Sequence, residues 1–134
     1  MIVVDASALA AFILREEVVW RSISNYIKYC ISVDHVVKEV LNTIWKAYIL
    51  REFIDLDGAK KAYNLLLSLI GRNLLLEPEL NYIDKAYEIS IENRITVYDS
   101  LYIALALDKQ LPLLTLDSQQ RRIAQQLGVE VVRV

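Results

Sequence analysis

Four short aliphatic runs fix the class of fold open to this chain: residues 2–4 (Ile-Val-Val), 30–33 (Cys-Ile-Ser-Val), 74–76 (Leu-Leu-Leu) and 113–115 (Leu-Leu-Thr). Each is too short for a stable helix, and most are apolar without alternation, as strands covered on both faces are. Helical patterns occupy 7–14, 17–29, 35–51, 57–69, 82–92, 97–108 and 118–127, and a last apolar run at 129–134 reads as a terminal strand. Strands separated by helices pair in parallel through right-handed crossovers. The expected architecture is a three-layer α/β/α fold around a central, mainly parallel sheet, with residues 1–134 forming one domain.

Local signals support those boundaries. Val36, Val37, Val40, Leu41, Ile44, Ala47 and Tyr48 recur at helical spacing and make one apolar stripe. Gly71 and Gly128 stand where helices should end, and Pro78 stops the third strand. The segment 97–108 is apolar nearly all round, which predicts deep burial. With only two prolines and three glycines, long regular elements and short connections are expected.

Composition removes several kinds of chemistry. The single cysteine, Cys30, excludes an intrachain disulfide and a cysteine-rich zinc site, and it reads as a small buried apolar residue. The single histidine, His35, excludes RNA cleavage by a pair of imidazoles and reads as a helix-start or loop residue. A net charge of −2 does not describe a protein that coats nucleic acid. No apolar run is long enough to span a membrane. The N-terminus lacks a basic leader, carries Asp5 and meets charges at Arg15, Glu16 and Glu17, so a cytoplasmic protein is expected.

In open parallel sheets, ligands bind beyond the carboxyl ends of the strands. Asp5 follows the first strand and Asp117 the fourth, which predicts that both lie on one edge. Each also precedes a helix, where aspartate is a favoured N-cap. Asp99 opens the most apolar helical segment. The free N–H groups of a first turn would stabilise its charge there, and so would a cation. Glu39 lies off the apolar stripe of its helix, as a solvated residue would, and shares a polar face with Asn42 and Thr43. Carboxylates gathered on one edge repel one another unless a cation intervenes, and oxygen-only ligands suit Mg²⁺ or Mn²⁺ rather than Zn²⁺. Such a site points to phosphodiester hydrolysis.

Four stretches together carry a resemblance: VVDASAL at 3–9, VVKEVLNTIWK at 36–46, VYDSLYIALAL at 97–107 and LLTLDSQQRRIAQQLGVEVV at 113–132. In order and separation they resemble the PIN-domain family, and within it the VapC-type toxins of prokaryotic toxin–antitoxin pairs. The segment 52–75 carries no signature of its own. The resemblance implies a PIN-like fold with an acidic pocket at the carboxyl edge of the sheet. By position, Asp5, Glu39, Asp99 and Asp117 match the family's acidic set. Ser7, Asn42 and Thr115 match the polar residues that accompany it. The resemblance further implies an RNA substrate, a VapB-type antitoxin that covers the groove, and a homodimer. The stretch 118–122 is more polar than the family pattern.

The expected activity is Mg²⁺- or Mn²⁺-dependent cleavage of RNA to 5′-phosphate and 3′-hydroxyl ends, with Asp5 and Asp99 as direct metal ligands. Lys38, Lys46 and Arg121 are candidate RNA contacts, with Arg94 and Arg122 nearby in sequence; solvated helix faces are the plainer account of most of them. Three other readings share parts of this pattern. A phosphorylatable receiver domain also sets acids at strand ends, but Val4 rather than an acid precedes Asp5 and no lysine follows Asp117. A catalytically silent PIN-like binding module would not need an intact acidic set. A housekeeping RNA-processing nuclease would share the chemistry and differ in partners.

Overall fold

The computed structural model describes residues 1–134. Strand β1 (Ile2–Val4) lies inside the sheet and is wholly buried. Asp5 ends it and caps helix α1 (Ala6–Ile13), which leads through α2 (Val19–Ile27) to β2 (Cys30–Val33). Helix α3 (His35–Trp45) runs into a π-helical turn, Lys46–Leu50, and α4 (Leu56–Leu69) returns the chain to β3 (Leu74–Glu77). A 3₁₀ turn (Glu79–Asn81), α5 (Ile83–Asn93) and α6 (Val97–Lys109) cross to β4 (Leu113–Leu114), and α7 (Ser118–Gln126) follows.

The four strands are all parallel, in the order β3-β2-β1-β4. Helix α1 packs with α2, α3 and α4, whereas α6 packs with α5 and α7 and against β1 and β2. The result is the expected three-layer α/β/α arrangement. The deep burial expected for 97–108 is found from Ser100 to Ala106, every residue of which is buried. Gly71 and Gly128 follow α4 and α7 in the left-handed conformation, with φ of 82° and 88°. No helix is long and apolar enough to cross a membrane.

Two expectations need correction. Residues 129–134 do not form a strand; they make one parallel bridge, Leu113 to Val131, held by the Leu113 N–H on the Glu130 carbonyl (2.8 Å) and the Val132 N–H on the Leu113 carbonyl (2.9 Å). Strand β4 is only two residues long, so it offers the terminus too short a template. The 35–51 segment is not one uniform helix. Its apolar stripe continues through Ala47, which is fully buried, but the backbone widens into a π turn closed by the Arg51 N–H on the Lys46 carbonyl (2.9 Å).

Candidate active site

The parallel pairing of Val4 with Leu114 carries Asp5 to the end of β1 beside Thr115, and the Asp5 N–H donates to the Leu114 carbonyl (3.1 Å). The Asp5 side chain turns back over α1. Its Oδ1 accepts from the Ala8 N–H (2.9 Å), and its Oδ2 accepts from the Thr115 hydroxyl (2.6 Å). The Ser7 hydroxyl lies 2.8 Å from both oxygens. These donors are themselves held: the Leu116 N–H donates to Ser7 Oγ (2.9 Å), and the Asp117 N–H donates to Thr115 Oγ1 (3.0 Å). Asp5 is 3 % exposed. Burial pushes its pKa up to about 6, against the pull of these hydrogen bonds, and the charge of Asp99 adds to the rise. The carboxyl is thus ionised at neutral pH at a cost.

Asp99 stands in the first turn of α6, whose N-cap, Thr96, accepts from the Asp99 N–H (3.1 Å). It is half-buried. Its pKa is raised by burial first, and then by the charges of Asp117 and Glu39. Asp99 therefore feels the other three acids of the set, being coupled to Asp5 as well.

Asp117 caps α7 through the Gln120 N–H (2.7 Å) and is exposed. The N-cap reading is thus correct for both Asp5 and Asp117, and it does not compete with a role at the edge. Glu39 reaches the edge from α3 and is not a freely solvated residue. The Tyr102 hydroxyl donates to its Oε1 at 2.5 Å, and His35 Nε2 stands 3.5 Å from the same oxygen. Tyr102 is 1 % exposed, and burial together with the Glu39 charge drives its phenol pKa far above the ordinary value.

The acids are held apart by their own local anchors, so the convergence expected from sequence is looser in the structure. No three side chains of metal-ligand type come close enough together to form a ready-made cage. The donor chemistry nevertheless suits a hard divalent ion. Asp5, Asp99 and Asp117 take part in no ion pair of the molecule, so the chain itself provides no cation for them. Mg²⁺ needs no protein cage, since it keeps several waters and takes one or two carboxylates.

The remaining candidates divide. Ser7 and Thr115 brace Asp5 directly. Asn42 is exposed on α3 without a hydrogen-bond partner, while Thr43 turns back to the Glu39 carbonyl (3.0 Å). Lys38 is exposed and lies 3.8 Å from Glu79; Lys46, Arg94 and Arg122 are exposed. Arg121 does not reach freely into solvent. Its Nη2 donates to the Thr115 carbonyl (3.1 Å), and its Nε is buried without a partner.

Two residues escaped the sequence reading. Tyr102 follows Asp99 by three positions, one turn along α6, but it sits in an apolar run and its partner is 63 residues away. Gln120 is fully buried and donates through Nε2 to the Asp99 carbonyl (3.0 Å), tying α7 to α6. The polar sequence around it gave no sign of burial.

Residues 2–126 match the family model described as PIN domain. The crystal structure of PAE2754 from Pyrobaculum aerophilum is similar, with a TM-score of 0.69 and 25 % identity, over 97 % of this chain and 82 % of that one. No curated protein matches the chain.

Proposed function

The chain belongs to the PIN-domain family, whose fold is that of nucleases, and from that premise we propose that it is a divalent-metal-dependent endoribonuclease, the toxin of a VapBC-type pair. The observation that carries this reading is the electrostatics of the edge: Asp5 and Asp99 are buried or half-buried, burial and neighbouring carboxylates raise the pKa of both, and no basic side chain pairs with them. Asp5 and Asp99, with Glu39 and Asp117 beside them, would hold a divalent ion, Mg²⁺ or Mn²⁺, which when bound would neutralise their charge and polarise a phosphodiester.

The chain's own residues then do the following. Ser7 and Thr115 fix the Asp5 carboxylate, and Tyr102 fixes Glu39. Glu39 and Asp117 orient the attacking water. Attack on phosphorus in line with the 3′ oxygen breaks the P–O3′ bond and leaves a 5′-phosphate and a 3′-hydroxyl. Lys38, Lys46 and Arg121 contact the strand, Arg121 once released from Thr115. Asn42 flanks Glu39 on the solvent side.

The partners proposed are RNA, a VapB-type antitoxin and a second copy of the chain, in the cytoplasm, with 1–134 acting as one nuclease domain. Trp45, Ile49, Leu50, Phe53 and Leu56, close together in sequence at and beside the π turn, are all exposed, which supports a protein partner.

The test is cleavage of pooled tRNA and rRNA with Mg²⁺ or Mn²⁺ and with chelator, beside Asp99→Asn. Metal-dependent cleavage by the parent alone, leaving 5′-phosphate ends, is expected. Equal activity in Asp99→Asn, or 2′,3′-cyclic phosphate ends, would overturn the mechanism. Binding of a protein partner with no cleavage of any RNA would instead mark a silent binding module. A chain with activity but no adjacent antitoxin gene would be a housekeeping nuclease.

A further inference from the structure

Tyr98 immediately precedes Asp99 in the first turn of α6, and 56 % of it is exposed. Single exposed aromatics need no explanation by themselves. What separates Tyr98 from Tyr29 or Tyr87, which are also exposed, is its setting. One face of the ring lies flat on His35, with centroids 4.8 Å apart and planes 7° from parallel. The His35 side chain is only 11 % exposed, so the stack is anchored from beneath and the exposure of Tyr98 falls on the side turned away from it.

The stack abuts the acidic edge. His35 Nε2 lies 3.5 Å from Glu39 Oε1, and Asp99 is the next residue after Tyr98. Glu79 joins a basic side chain to the same corner: its Oε2 is 3.9 Å from His35 Nδ1 and 3.8 Å from Lys38 Nζ. An immobilised aromatic surface, a lysine and the acids are thus side by side.

We propose that Tyr98, backed by His35, is a platform on which one unpaired base of the substrate stacks, next to the phosphodiester presented to the acids. This rests on the reading of the protein as a ribonuclease. Four carboxylates repel a phosphate backbone, and a net charge of −2 gives the strand no general attraction. Stacking needs no charge, and every base has a face to offer. A base within a duplex is already covered on both faces by its neighbours, so the platform selects a nucleotide that is splayed out of pairing. Because a π-face is common to all bases, Tyr98 enforces single-strandedness at this point more than it reads sequence.

The experiment uses short single-stranded RNAs carrying one 2-aminopurine at successive positions, titrated with Mg²⁺ into Asp99→Asn protein so that turnover does not intervene. The fluorescence should be quenched with the probe at one position and much less at the others. Adding Tyr98→Ala should remove that quenching and weaken binding about tenfold, the loss of a single base–aromatic stack. Adding Tyr98→Phe, which keeps the ring and the contact with His35, should preserve both. RNA bound by the Tyr98→Ala form with unchanged affinity and unchanged quenching would overturn the platform and leave the ribonuclease reading standing. RNA bound by no form, together with no cleavage by the parent, would overturn the ribonuclease reading and the platform with it.

Discussion

Asp5 and Asp117 are made by one local device, an aspartate beyond a strand that caps the following helix, yet they end in different surroundings. Asp5 directly follows β1, the strand flanked by β2 and β4, and is covered by Ser7 and Thr115. Asp117 comes three residues after the two-residue β4, the last strand of the sheet and the direct neighbour of β1, and it faces water. Burial raises the pKa of the first to about 6. The difference teaches that capping sets where a carboxylate points, while its position across the sheet sets what its charge costs. A costly buried charge can be relieved by a cation; a solvated one has little to gain.

The sharpest way to break this contrast is Asp5→Asn. RNA cleavage should fall by about 10²–10³-fold, the scale of losing a ligand that stabilises developing charge. The metal-free protein should become more stable at pH 7 by up to about 3 kcal/mol, since a rise from 3.8 to about 6 is a penalty on the charged form. The sign follows from the raised folded pKa. Below about pH 4 the carboxyl is protonated folded or unfolded, and stability is lost as pH climbs toward 6. Denaturant melts of parent and Asp5→Asn across that window check it, and parallel curves would show that Asp5 carries no such penalty. Mg²⁺ or Mn²⁺ should raise the melting temperature of the parent and not of Asp5→Asn.

Tyr102→Phe comes next. It removes one hydroxyl from a buried ring and leaves Glu39 Oε1 without its donor. Turnover should drop about 10–100-fold, as when an outer partner of a metal-site carboxylate is lost. Circular dichroism should show an unchanged fold. Full activity would mean that Glu39 needs no such support.

Thr115→Val strips the buried Asp5 oxygen of a donor and should cost about 1–3 kcal/mol in denaturant unfolding at pH 7. The cost should shrink toward pH 4, where the carboxyl carries its own proton. The smallest effect on stability belongs to Asp117. Asp117→Ala should cost about 1 kcal/mol through the lost cap of α7, and Asp117→Asn, an equally good cap, only a few tenths. A loss in Asp117→Asn as large as that in Thr115→Val would erase the contrast between the two ends.

Much of this could be read from the chain because the signals are local. The strand at residues 2–4, the caps at Asp5 and Asp117 and the closing glycines Gly71 and Gly128 depend on near neighbours in sequence. The rest depends on distant ones. The π turn at 46–50 is hidden by an apolar stripe that runs on through it, and residues 129–134 look like a strand but meet a β4 too short to extend. The contact of Arg121 with the Thr115 carbonyl, six residues back across the end of β4, is likewise invisible in the local pattern.

The sequence alone determined the alternation of strand and helix, hence the parallel sheet, and it determined that aspartates would stand beyond β1 and β4. Period and capping are properties of a few consecutive residues, so they can be read before any distant contact is known. Tertiary structure decided which of those aspartates would be buried, which tyrosine would hold Glu39 and which would lie open against His35. Tyr98 and Tyr102 are four residues apart on one helix, a spacing that says nothing of their fates. Only the packing of α6 against β1 and β2, which brings its side chains within reach of α3, sends one hydroxyl to Glu39 and leaves the other ring stacked on His35 at the surface.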